Sequence, residues 1–269
     1  MDLGRIADIA RGARIAALHA THDAKTSHVG SALSVIDILA TLYGGVANVS
    51  KDNLDDPERD IVIVSKGHAA SGVYGILAQV GIIESGLMAS YSSDGGVLGG
   101  HVTSHGVRGV ELSTGSLGHG LPVGVGYALA AKRLGLQRHV YVVLSDGECD
   151  EGTTWESALI AHHFGLDNLT IAIDRNGIQS LGRTEDTIRL EPFAQKWRAF
   201  GWSAVEIDGH DYRQLVSALA ADSTATGPRV VICETTKGKG VSFMEDTVLW
   251  HYKSPSDEDL AAALKELEA

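Results

Sequence analysis

The sequence predicts an α/β fold, doubly wound about a mainly parallel sheet with helices on both faces. Two observations carry this. Apolar runs of strand length, IVIV from residue 61, HVYVVL at 139–144, LTIAID before Arg175, WSAVEI and RVVICET, alternate with segments whose apolar residues recur at helical spacing. Polar, often glycine-containing turns follow three of these runs, at the carboxyl ends where open α/β sheets bind their ligands. The length of 269 residues suits one substantial domain over 1–269 with a well-buried core, and no repeat or linker marks a second.

Residues 1–22 place Leu3, Ile6, Ile9, Ala10, Ala13, Ala17 and Leu18 on related turns, with Asp2, Arg5, Asp8 and Arg14 elsewhere, which is an amphipathic helix. The next segment, KTSHVGSALSVIDILATLY, sets a polar turn bearing His28 before a second, apolar helix. IVIVSKGHAASGVYGILAQVG reads as strand, turn and helix, with Lys66, Gly67 and His68 at the strand end. Between Gly95 and Gly126 glycine is dense, and GGHVTSHG and STGSLGHGLPVGVG precede a helix running to about Leu134. Such glycines let backbone amides approach an anion, and a helix amino terminus adds its dipole. The spacing is neither GxxxxGK with Ser or Thr nor GxGxxG at the first strand, so a nucleotide triphosphatase or a dinucleotide enzyme fits poorly.

Beyond Leu181 a polar stretch to Glu191 reads as surface loop, followed by helix (PFAQKWRAF), strand, helix (DYRQLVSALAA) and strand. TTKGKGVSFMED and LWHYKSP, the latter with His251, read as a mobile glycine and lysine loop. Ser256 and the acids after it open a final helix, SDEDLAAALKELEA.

Ligand chemistry concentrates between Ser145 and Leu181. SDGE follows the strand HVYVVL, a helical segment with Trp155, Ala158, Leu159 and His162 comes next, and LTIAID delivers Asn176 thirty residues after Asp146. That is one βαβ crossover, which brings Asp146 and Asn176 together at the carboxyl edge of the sheet. A carboxylate, an amide oxygen and a backbone carbonyl near Ile178 match magnesium, whose octahedral shell water and two diphosphate oxygens would complete.

Acidic residues outnumber basic ones by 34 to 22, for a formal charge of -12, which argues against nucleic acid as a partner and suits a cytoplasmic protein. Cys149 and Cys233 have neither zinc-site spacing nor a disulfide framework, so a reducing compartment is expected. No segment reads as a membrane span, and the amino terminus lacks a signal pattern.

SDGE with the spaced Asn resembles the thiamine diphosphate enzymes, whose signature is GDG followed by a spaced N, and SDGECDEG through DRNGIQ resembles the transketolase group in particular. TSHVGSALS is similar to that family's SGHPG segment, RDIVIVSKGHAA to SKGHAA, GGHVTSHG to GHPE, STGSLGHG to TTGPLGQG and, more loosely, WHYKSP to the late VHG segment. The resemblance covers nearly the whole chain but only the amino-terminal, diphosphate-binding (PP) part of a full transketolase.

What it implies is the small subunit of a split enzyme, transferring a two-carbon ketol unit from a ketose to an aldose. Thiamine diphosphate and magnesium would be the cofactors, and sugars or sugar phosphates the substrates. The partner would be a carboxyl-terminal transketolase subunit carrying the pyrimidine domain and its activating glutamate, in an α2β2 assembly. By the same resemblance Asp146, Asn176 and the Ile178 carbonyl would hold the metal. His68, Gly115, Ser116, Leu117, Gly147, Glu148, Asn176, Ile178 and His251 would contact the cofactor, and His28, His68, His101 and His251 would be catalytic. Glu151 would lie near the contact between subunits. Imidazoles titrating near neutrality can pass protons to and from sugar hydroxyls. Val29 and Val102 stand where the family usually has Pro, Ser145 where it has Gly, and Tyr252 where Gly follows the late His. Two other readings are the alpha subunit of a 2-oxo acid dehydrogenase, against which SKGHAA and STGSLGHG speak, and a non-catalytic scaffold, against which Asp146 and Asn176 speak.

Overall fold

Five strands, β1 (Ile61–Val64), β2 (Val140–Ser145), β3 (Leu169–Arg175), β4 (Ser203–Asp208) and β5 (Arg229–Glu234), form one sheet of order β1-β2-β3-β5-β4. They come from a computed structural model that describes residues 1–222 and 224–268. Every pairing in it is parallel, and β2 and β3 are direct neighbours with Ser145 opposite Asp174. Strands β1, β2, β3 and β5 are covered on both faces, which is why they read as unbroken apolar runs, whereas β4 is a half-exposed edge.

On one face Val62, Val64, Tyr141, Val143, Ala172 and Val231 pack under α1 (Leu3–Asp23), α2 (Val29–Thr41), α3 (Ala70–Gln79) and α8 (Tyr212–Leu219). On the other, Ile63, Val142, Leu144, Ile171, Ile173 and Ile232 meet α4 (Gly120–Leu134), α5 (Gly152–His163) and α7 (Phe193–Ala199). The expected double winding is therefore present. The stretch read as surface loop holds one short helix, α6 (Thr184–Thr187), and the chain closes with α9 (Asp257–Glu268), where Ser256 Oγ accepts from the Asp259 amide at 3.1 Å.

Two expectations are corrected. Helix α2 runs on through a π turn, so that Val29–Val46 forms 18 residues of mean hydropathy 1.6, long and apolar enough to cross a membrane by length and composition. Of that segment 89% is buried, because α1, α3, α8 and the sheet enclose it, and it is a core helix. The glycine and lysine loop after β5 is packed and held. Lys237 is 1% exposed, the Gly238 amide donates to the Gly30 carbonyl at 2.9 Å, and Trp250 Nε1 donates to the Phe243 carbonyl at 3.0 Å.

Candidate active site

The carboxyl ends of β1, β2 and β3 and the amino end of α2 open on one cleft with a cavity volume of about 240 Å³. His68 arrives just after β1, Asp146 after β2 and Asn176 after β3. His28 caps α2 in the left-handed region at φ 73°, and its amide donates to the His251 carbonyl at 2.9 Å. His101 comes from the turn after the glycine-rich stretch and His251 from a short turn at Leu249–His251. Four histidines spread over the sequence thus share one wall. The His28 ring centroid lies 4.9 Å from His251, 5.4 Å from His68 and 5.7 Å from His101.

These imidazoles do not titrate near neutrality. Burial, with His101 and Lys237 nearby, pushes His28 down to about 4. Burial and the Lys237 ammonium push His251 down to about 3, and burial holds His68 well below its ordinary value. At neutral pH these three are therefore neutral rings, each with one donor and one acceptor nitrogen. Lys237 Nζ sits 2.8 Å from His251 Nδ1 and 3.1 Å from the Ile178 carbonyl, and burial lowers this lysine to about 8.

The acidic side of the cleft is built around Asp146 and Asp174. Asp146 accepts from the Gly147 amide at 2.8 Å, the Gly177 amide at 2.7 Å and the Thr184 hydroxyl at 3.2 Å. It is 2% exposed, and among the described residues no Lys, Arg or His pairs with it. Burial first and the Asp174 charge second raise its pKa. A buried carboxylate without a cation is costly, and a bound cation would relieve that cost. Asn176 turns its amide nitrogen toward Ser34 and Asp174, at 3.5 and 3.4 Å, leaving Oδ1 to accept from the Ile178 amide at 3.1 Å. Asp174 pairs with the fully buried Lys66 and accepts from Ser34 and Thr235, which together hold its pKa down against burial. With the Ile178 carbonyl, Asp146 and Asn176 form an all-oxygen set suited to a hard cation such as magnesium.

Gly115, Leu117 and Gly147 also line the cleft, and Ser116 lies exposed beside them. Gly67 lets this loop lie against the end of β1, since a Cβ there would run into the Thr114 carbonyl. Glu148 is placed elsewhere than the resemblance implied. Its buried carboxylate accepts from Ser65, from the Gly118 amide at 2.8 Å and from the Ser145 amide at 3.3 Å, so it fastens the loop from behind rather than lining the cleft. Glu151 is exposed at the start of α5. Sequence reasoning assigned nothing to Lys66, Asp174, Gln179 or Lys237. A charged residue inside an apolar run, as in LTIAID, was the available signal for Asp174.

The family described as transketolase, thiamine diphosphate binding domain, matches residues 6–268. The chain belongs to the transketolase family. Among curated relatives, one of the two subunits of an apulose-4-phosphate transketolase from Actinobacillus succinogenes is 45% identical, over 90% of this chain and 87% of that protein. A 6-deoxy-6-sulfo-D-fructose transketolase subunit of Clostridium sp. is 38% identical over 90% and 88%. Full-length human transketolase is 30% identical over 93% of this chain but only 40% of its own length. The structure of transketolase from Leishmania mexicana superposes with a TM-score of 0.92 at 28% identity, over 98% of this chain and 41% of that one. The chain therefore corresponds to the amino-terminal subunit of a split transketolase.

Proposed function

We propose that the chain acts with a separate pyrimidine-domain subunit to transfer a two-carbon ketol unit from a ketose to an aldose, using thiamine diphosphate and magnesium. The observation that carries this is one cleft in which four histidines face the oxygen set of Asp146, Asn176 and Ile178. Those three residues would hold magnesium, while the Gly115–Leu117 loop and Gly147 offer backbone groups to a diphosphate. Bound thiamine diphosphate would supply a carbon nucleophile and an electron sink for the two-carbon unit. Neutral His28 and His251 would accept a proton from a sugar hydroxyl or donate to an oxygen gaining charge, and the buried wall would exclude water. His101 completes that wall, and His68 would lie between cofactor and sugar.

The relatives named for apulose-4-phosphate and 6-deoxy-6-sulfo-D-fructose make ketoses bearing an anionic group the first substrates to test. We place the assembly, an α2β2 pair of heterodimers, in the cytoplasm. Two free, buried cysteines and the acidic composition support that placing. The test mixes the chain with its pyrimidine-domain partner and follows ketol transfer with magnesium and thiamine diphosphate in excess. Activity should require both chains. Robust turnover by this chain alone would refute the split arrangement, and turnover of 2-oxo acids instead of ketoses would move it to the dehydrogenase group.

A further inference from the structure

The turn that follows β5 is fastened by side chains that do not reach the cleft. Arg14 on α1 grips Asp37 on α2 with both terminal nitrogens, at 3.0 and 2.7 Å, and its Nε donates to the Lys239 carbonyl at 3.0 Å. The Tyr212 hydroxyl donates to Asp37 at 2.7 Å. His210, between β4 and α8, completes the group. Its Nδ1 lies 2.7 Å from Asp37 Oδ2, and its Nε2 lies 2.9 Å from the Thr236 amide nitrogen. A backbone N–H can only donate, so Nε2 accepts and the ring proton sits on Nδ1, donated to Asp37. His210 is thereby fixed in one tautomer between a buried carboxylate and the residue preceding Lys237.

We propose that His210, oriented by Asp37, is a positioning residue that fixes the Thr236–Lys239 turn and so aims Lys237 at His251. The sheet stops directing the backbone just before this point, since its last hydrogen bond here runs from the Thr235 amide to the Arg175 carbonyl. The next anchor is the Gly238 amide on the Gly30 carbonyl at 2.9 Å. Between the two, His210 is the partner of the Thr236 amide. Lys237 has a flexible four-carbon stem, and among the described residues it pairs with no carboxylate. Its partners, His251 Nδ1 and the Ile178 carbonyl, are neutral, so its direction has to come from the backbone that carries it. Burying the Asp37 charge costs desolvation, which four hydrogen bonds offset, and the return is a backbone turn held in one geometry.

The catalytic consequence rests on the ketol-transfer reading, but the geometry does not, and the test separates them. His210→Gln keeps an acceptor within reach of the Thr236 amide. His210→Asn keeps a donor for Asp37 but falls short of Thr236, and His210→Phe keeps the ring volume and loses both bonds. Amide exchange over 236–241 and the His251 ring-nitrogen shifts are measured on the isolated chain. The Asn and Phe variants should exchange that segment about tenfold faster and shift His251, while the Gln variant stays within about twofold of the parent. Exchange in α5, on the far face of the sheet, should be unchanged in all three. Unaltered exchange at 236–241 in the Asn and Phe variants overturns the proposal, as does an equal acceleration in α5 or a Gln variant as fast as Phe. Absence of ketol transfer by the parent with its partner would refute the functional reading and leave the exchange result standing.

Discussion

Lys237 Nζ stands 2.8 Å from His251 Nδ1, an ammonium donating to a ring nitrogen. Nδ1 must therefore be unprotonated and Nε2 must carry the ring hydrogen, so His251 is held as a neutral donor. Lys237→Met removes the second cause of the depression of His251 and leaves the first, burial, in place. The His251 pKa should rise from about 3 toward, but not to, its ordinary value. An NMR titration of the ring protons in the isolated chain measures this, and an unmoved midpoint would contradict the assigned contact.

His68 predicts a pH effect with a definite sign. Its folded pKa lies well below the 6.5 of an exposed imidazole, so the unfolded chain binds more protons between those values. The contribution is fully present above about 6.5 and is lost as the pH falls toward the folded value. Asp146 and Glu148, both raised, act in the opposite sense, so the parent alone does not isolate the effect. The difference between parent and His68→Gln does. Urea midpoints should fall less between pH 7 and pH 5 in the variant, and parallel profiles would remove His68 from the account.

Saturating magnesium with thiamine diphosphate should raise the unfolding temperature of the isolated chain, by the equivalent of about 2.7 kcal/mol at a hundredfold excess over Kd. Asp146→Ala and Asn176→Ala should each abolish most of that rise, because a fixed oxygen is lost from the metal set. Calorimetric scans with and without the ligands check it. A full rise in both variants would move the metal elsewhere.

Glu148 should behave as an anchor. In Glu148→Gln one end of the side chain becomes a donor facing backbone amides or the Ser65 hydroxyl, leaving at least one buried bond unmade at a cost of about 1–3 kcal/mol. Denaturant unfolding of the chain without cofactor should show the loss. A variant of parental stability with weakened cofactor binding would restore the role that the resemblance first implied.

The local elements were largely legible because they depend on neighbours in sequence. Val140–Ser145 and Leu169–Arg175 are apolar runs buried on both faces, and Ser256 announces α9. The position of β5 between β3 and β4 was not legible, since parallel pairing is set by contacts far apart in the chain. The same holds for the hidden charges. Asp174 and Asp37 sit in apolar segments, and their partners lie 108 residues away at Lys66 and 175 away at Tyr212. Lys237, in a glycine-rich stretch, carries every local mark of a solvated residue, and only tertiary packing buries it. The four histidines could be set in one site through motif resemblance, but their depressed pKa values could not, because burial and the Lys237 charge belong to the folded state.

Helix α2 is among the first parts of the chain to be synthesised and among the last to be covered. Its wrapping includes α8 and the Leu249–His251 turn, which leave the ribosome only after nearly all of the sheet has been made. For most of translation, then, an apolar segment of 18 residues has no partner on part of its circumference. A nascent chain in this condition is a natural client for ribosome-associated chaperones, and a fragment ending before α8 should collect in the insoluble fraction on expression. The residues that complete the histidine wall are thus the same ones that end the chain's dependence on protection during its own synthesis.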